Sequence, residues 1–421
     1  MQIVPPPVFS RSLLLLIAVL LSFNVNFHAQ SRPQKGDAPK GDGKKNERPK
    51  PKTEAELKAE EEKRKQDEEE KNAVVDAEVL NIKSNIVNVD AVVYNKKTGQ
   101  IVTGLKKENF AVFENGVKQE ITNFATPEAP ITVTLVVDYS KLGAYIGSAS
   151  GGGFEPGQME MVRPVAYFLS KFIKPPDDYA SVIAFDIRPT PLTDFTNDPN
   201  RINSVINLLL RNNPAFTDSN MFDALKLALV GGKADSVVLE NSKESKAEYG
   251  GMVAVKAKRR AVILVSTGID SMSKINYGEM RKIIQNSGIP IYIIGTGEMF
   301  IKLYDSQMNA TDSISGFPGR LTFLQARNTL TTFAKESGGT YSPVTFPSEL
   351  PGVLTNINTL LRNQYSIAYD VAETREPGKK FILDVKVDVN GDGVYEEKGY
   401  VIQHRPFYIT PKEGKNDKVK K

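Results

Sequence analysis

The chain has 421 residues, of which 25% are charged, with a formal net charge of +4, no cysteine and two histidines. That length suggests two or three folded units, and the small net charge excludes the basic excess that drives nucleic-acid binding. Without cysteine there is no disulfide framework, thiolate zinc site or cysteine nucleophile, and His28 and His404 alone cannot build a histidine-rich metal centre.

Residues 1–30 open on a weakly basic start followed by the apolar run Leu13–Phe27. The run is short for a membrane span and fits a secretory signal cut near Ala29 or Gln30, with an uncleaved N-terminal anchor as the alternative. Residues 31–73 are rich in Pro, Gly and charge and then in Glu and Lys, with Leu57 the one large apolar residue of TEAELKAEEEKRKQDEEEKN. Such a composition cannot bury a core and reads as a disordered charged linker. From Val74 the pattern turns to period two, in IVNVDAVVYN and FAVFENGVKQEITNF, with turn signals at Thr98-Gly99 and Asn115-Gly116. This predicts a small N-terminal antiparallel β unit over 74–129, too small to be stable alone.

After Pro130 the rhythm becomes strand, helix, strand. Apolar runs at 132–138, 179–186, 261–267, 289–297 and 339–344 alternate with the helical stretches MEMVRPVAYFLSKFI, PNRINSVINLLL, MFDALKLALV, INYGEMRKIIQNSG and FLQARNTLTTFAKESGG. Short all-apolar strands between amphipathic helices predict an α/β fold over 130–370, a doubly wound, mostly parallel sheet. The stretches 231–258 and 298–320 interrupt the rhythm and read as insertions or partner-facing loops. Residues 371–410 read as a C-terminal β hairpin turning at Asn390-Gly391-Asp392-Gly393, and 411–421 as a basic tail.

In such a sheet ligands bind beyond the carboxyl ends of the strands. Asp138 stands at such an end, in VTLVVDYSKLG, as do Thr267-Gly268 and Gly295-Thr296-Gly297. The stretch NNPAFTDSNMFDAL reads both as a helix start capped by Asp218 or Ser219 and as half of a metal loop. Asp388, Asn390 and Asp392 follow the spacing of a calcium loop, but Gly399 stands at its twelfth position, where a glutamate is needed. No G-x-S-x-G elbow, P-loop or dinucleotide glycine motif occurs. A Ser/His/Asp triad would need His404, which lies among terminal-strand residues.

The order and spacing of DYSKL, MFDALKLAL, ILVSTGID, GGTYSPV and NQYSIAYD resemble the von Willebrand factor type A domain, abbreviated vWA. The preceding VxGLxxENFxVxENGxxQxI pattern resembles the β segment of a family of exported bacterial proteins common in Acidobacteria that carry this domain. The resemblance spans residues 80–408 and implies a non-enzymatic module that binds a protein partner or extended peptide, often through a divalent cation such as Mg²⁺ at the sheet edge. Carboxylate and hydroxyl oxygens suit that ion. Carried over, the motif places metal ligands at Asp138, Ser140 and Ser219, with Asp270 in reach if its loop bends inward. Leu142 stands where a second serine is expected and Thr267 where an aspartate is expected. The implied function is protein interaction or adhesion at the carboxyl edge, beside a degenerate metal-ion-dependent adhesion site, in an exported protein of the periplasm, cell envelope or secreted fraction. The alternative is a structural module of an envelope assembly with an inert sheet edge.

Overall fold

A computed structural model describes residues 86–146, 169, 172–211, 216–234, 247–313, 318–371, 375–376, 378–396 and 398–410. The expected signal, linker and basic tail lie outside the described residues. In chain order the strands are β1 (Ile86–Asn95), β2 (Phe110–Glu114), β3 (Val117–Gln119), β4 (Ile121–Ala125), β5 (Ile131–Asp138), β6 (Tyr179–Phe185), β7 (Pro189–Thr196), β8 (Gly232–Ala234), β9 (Ala247–Tyr249), β10 (Arg259–Ser266), β11 (Ile291–Gly295), β12 (Tyr341–Pro343), β13 (Tyr365–Asp370), β14 (Lys380–Val387), β15 (Tyr400–Gln403) and β16 (Phe407–Ile409). The helices are α1 (Lys141–Ile146), α2 (Pro199–Arg211), α3 (Met221–Val230), α4 (Gly251–Ala254), α5 (Tyr277–Ser287), α6 (Glu298–Tyr304), α7 (Arg320–Ser337) and α8 (Leu350–Arg362).

The central sheet has the order β12-β11-β10-β5-β6-β7. β5 pairs in parallel with β10 and with β6, and only β7 runs antiparallel. The continuous apolar runs follow from burial on both faces. Val133, Leu135 and Val137 of β5 join Ala261 and Ile263 of β10 in one core cluster with α2 and α8 residues such as Ile202 and Ile357. Val136, Val262 and Leu264 point the other way, into a cluster with α3, α5 and α7 residues such as Leu225, Ile283 and Phe333. The chain leaves β5 towards β6 on one side and later returns to β10 on the other. The carboxyl end of β5 is therefore a topological switch point, where two loops part and leave a crevice.

Edge strand β7 has no counterpart among the sequence expectations. Its Pro189 and Pro191 break the strand pattern in the sequence, and proline is tolerated at an edge because no inward ladder bond is lost.

The N-terminal strands pair with C-terminal ones. Sheets β15-β1-β13-β4 and β16-β14-β2-β3 are antiparallel and share one core, with Val89, Val112, Tyr365, Ile367 and Val385 inside it. The expected C-terminal hairpin is corrected here, because the strands flanking Asn390–Gly393 do not pair with each other. β14 lies between β2 and β16, while β15 pairs with β1. The turn is closed by its own side chains instead. Asp388 accepts from the amides of Gly391 (2.7 Å), Asp392 (3.2 Å) and Gly393 (2.8 Å), and Glu396 accepts from that of Val389 (2.6 Å). Self-contained in this way, the turn needs no strand partner and can carry the chain from one sheet to the other.

Candidate functional site

Asp138 ends β5 at the switch point, and its carboxylate collects donors from two loops. Oδ1 accepts from the Ser140 amide at 3.1 Å and the Ser140 hydroxyl at 2.7 Å. Oδ2 accepts from the Ser266 hydroxyl at 3.2 Å and the Thr267 hydroxyl at 3.5 Å, both at the end of adjacent β10. Gly143 in the first turn of α1 donates its amide to Ser140 Oγ at 2.9 Å. A Cβ there would stand 2.7 Å from Asp138 Oδ1, so the helix can pass this close only with glycine.

The loop before α3 closes over this turn. The Lys141 amide donates to the Phe216 carbonyl at 2.7 Å, and the amides of Ser271 and Met272 both donate to the Ser219 carbonyl, at 2.9 and 3.0 Å. Ser219 is 1% exposed, and its hydroxyl is buried with no hydrogen-bond partner. Phe216 and Met272, on the two stitched loops, are 45% and 51% exposed. The edge thus combines a buried carboxylate and hydroxyl floor with an exposed apolar rim.

The four expected ligands separate. Asp138 and Ser140 are in contact, and Ser219 lies on the adjoining loop with its hydroxyl unspent. Asp270 is committed elsewhere. Its Oδ1 accepts from the amides of Met221 (2.8 Å) and Phe222 (3.2 Å) and from the Ser273 hydroxyl (2.6 Å), capping the N-terminus of α3. The cap comes from across the fold, whereas the sequence placed it locally, at Asp218 or Ser219. Leu142 turns into an apolar cluster with Ile269, Phe300 and Phe323, which explains the missing hydroxyl at that position. Ser266 went unnoticed in the sequence, although the hydroxyl pair closing AVILVST was the available signal.

Whether these residues fit a divalent ion turns on charge and free lone pairs. The oxygens are of the right kind for a hard cation, but Asp138 supplies a single negative charge and both its oxygens already accept hydrogen bonds. Asp270 Oδ1 caps α3, and among the described residues no group of three or more acidic or histidine side chains comes together. Mg²⁺ demands near-ideal oxygen geometry, and the side chains that gather at the edge, Asp138, Ser140 and Ser219, are oxygen donors that together carry one negative charge.

Burial pushes the Asp138 carboxyl above its ordinary range, against the hydrogen bonds of Ser140 and Ser266, which favour the charged form. For an acid with a raised folded pKa, the stabilising contribution is present at acid pH and is lost as pH rises towards the folded value. Asp138→Asn removes that loss. In melting curves of the full chain, the difference in melting temperature, variant minus wild type, is therefore expected to rise from about pH 4 to pH 7. A flat or falling difference would contradict a carboxyl whose charged form is disfavoured by burial.

The sequence matches no family profile and no curated protein. Among solved structures it is similar over part of its length to proximal thread matrix protein 1 from the mussel byssus, at 13% identity and TM-score 0.35, covering 59% of this chain and 50% of that one. It is also similar to an aerotolerance-related membrane protein from Bacteroides fragilis, at 16% identity and TM-score 0.35, covering 55% and 98%. A third is the vWF domain of the type V pili tip protein Mfa5 from Porphyromonas gingivalis, at 13% identity and TM-score 0.34, covering 56% and 95%. The chain thus spans about half the length of the mussel protein. These likenesses are partial and assign no function to the chain.

Proposed function

We propose that the chain is an exported, non-enzymatic module of the vWA kind, with a doubly wound sheet whose carboxyl edge takes a protein partner or an extended peptide. The observation that carries this reading is the pair Phe216 and Met272, half-exposed on loops that are otherwise pinned down by backbone hydrogen bonds around Ser219. Exposed large apolar side chains beside a switch point are suited to anchor a partner. Residual metal chemistry is not needed for it. The hydroxyls of Ser140, Ser219 and Thr267 provide polar contacts around the anchors.

Binding rather than catalysis is supported by where His404 falls. The neighbouring Gln403 side chain donates to the carbonyls of Gly338 and Gly339, just ahead of β12, at the amino end of the sheet and opposite Asp138. Burial also lowers the His404 pKa, and its Nδ1 lies 2.7 Å from the Arg405 carbonyl. Export rests on the Leu13–Phe27 run. Among the described residues no helix is long and apolar enough to cross a membrane.

The test is affinity capture from envelope extract with the tagged full chain, comparing wild type with the Phe216→Asp, Met272→Asp double variant. Proteins captured by wild type are expected to fall at least about ten-fold with the variant, as loss of a central anchor pair requires. Equal capture by both would remove the edge from the interaction and favour the scaffold reading, in which other surfaces make the contacts.

A further inference from the structure

Beside the Asp138 turn, a cavity of about 230 Å³ lies between the carboxyl ends of β5 and β6 and the last turn of α2. Buried Phe185, Leu192 and Leu209 line it together with half-buried Tyr139 and Leu208. The Tyr139 amide donates to the Phe185 carbonyl at 2.7 Å and its hydroxyl to the Leu209 carbonyl at 2.9 Å, which ties the sheet to α2 at this point. Tyr139 and Leu208 make further contacts within the fold and serve here only as walls. Among the described residues one charged group lines the cavity, Asp186, at the start of the turn between β6 and β7. Its Oδ1 accepts a long hydrogen bond from the Arg188 amide, 3.4 Å, and among the described residues its carboxylate has no ion pair. The Arg188 side chain lines a separate concavity beside α3.

A cavity this small falls below the roughly 300 Å³ that a drug-sized ligand needs and suits one side chain of a bound chain. Its chemistry selects that side chain. Aromatic and aliphatic walls take up a methylene stem, since lysine and arginine bury their stems along apolar surface while the charged head stays polar. A purely apolar occupant would strip water from the Asp186 carboxylate and leave it without a partner, which costs free energy. A cation pairs with it instead, and the Tyr139 ring adds attraction for a cation lying over its face. We propose that this cavity receives an arginine or lysine side chain of the protein or peptide that occupies the carboxyl edge. The inference rests on the edge reading above. α2 ends shortly before Phe216, whose carbonyl accepts from the Lys141 amide close to Tyr139, so the cavity and the Phe216 anchor stand on adjoining loops.

The experiment is isothermal titration of the full chain at low ionic strength with three blocked tripeptides that carry arginine, lysine or leucine between two glycines. The arginine or the lysine peptide is expected to bind with Kd below about 5 mM and at least about five-fold more tightly than the leucine peptide. That preference is expected to shrink when salt shortens the screening length from about 30 Å to 10 Å. Asp186→Asn keeps an acceptor for the Arg188 amide, so it is expected to melt close to wild type, to bind the leucine peptide as wild type does and to lose the preference for the cation. The unchanged melting temperature guards against a misfolded variant. No partner protein enters this titration, so it can fail while capture at the edge succeeds, and the reverse. Leucine binding as tightly as the cations, an unchanged preference in Asp186→Asn, or no binding by any of the three peptides overturns the proposal.

Discussion

Asp178→Ala is expected to destabilise the full chain by about 3–5 kcal/mol, the range for removing one partner of a buried ion pair. Asp178 is 2% exposed at the turn before β6. It accepts from the Ile131 amide at the start of β5 and from the Lys174 amide, each at 3.0 Å, and it pairs with Arg362 at the end of α8. Its removal leaves two amides and a largely buried guanidinium without their acceptor, and each unsatisfied group adds its own desolvation cost. Burial alone would raise its pKa, but the hydrogen bonds from Arg362, Ile131 and Lys174 outweigh that, so the carboxyl titrates below its ordinary range. Chemical denaturation of wild type and variant at neutral pH measures the loss. A difference under about 1 kcal/mol, the range of a solvent-exposed ion pair, would show that the pair is solvated.

Glu114→Gln is expected to act with comparable size on the antiparallel sheets. The Glu114 carboxylate accepts from the hydroxyls of Tyr369 (2.6 Å) and Tyr408 (2.7 Å) and pairs with Arg375 at 2.8 Å, joining β2, β13 and β16 in their shared core. Burial opposes its charge, but Arg375, Tyr369 and Tyr408 prevail and hold the carboxyl below its ordinary range. The sign follows directly. A carboxyl with a depressed folded pKa contributes stability that is present above its unfolded value and is lost as pH falls through the folded one. Wild type should therefore lose stability on acidification below about pH 4.5, and the Gln variant should lose less over the same range while starting about 2–4 kcal/mol lower at pH 7. Parallel pH curves for the two proteins would mean that Glu114 does not carry this linkage.

The central strands could be read from the sequence because burial on both faces writes an uninterrupted apolar run, as in β5 and β10. β7 could not, since its prolines suppress the strand pattern at the one position in a sheet where they do no harm. The antiparallel sheets were half legible. Alternation announced β1, but nothing local says that Ile86 faces Asp370 or that Asn95 faces Tyr400. Pairing across most of the chain depends on which apolar faces remain uncovered after the central sheet forms. The same holds at the site. Asp138 and Ser140 lie two residues apart, and their contact follows from a strand running into a turn. Asp270 reaches the amides of α3 through a loop whose bend is set by Ser273 and by the Ser219 carbonyl, which no spacing in the sequence encodes.

These two kinds of placement also define what the edge can do. Hydroxyls from two loops satisfy one buried carboxylate, while Phe216 and Met272 stay exposed outside it. In the proposed reading, the edge gains its affinity from apolar burial, and its polar floor sets orientation. The most direct measurement is the affinity capture repeated with wild type and the Phe216→Asp, Met272→Asp variant, each in Mg²⁺ and in EDTA. The account predicts that wild-type capture is the same in both solutions and that the variant loses it in both. Capture that vanishes in EDTA, or that survives in the variant, would contradict a metal-independent apolar rim.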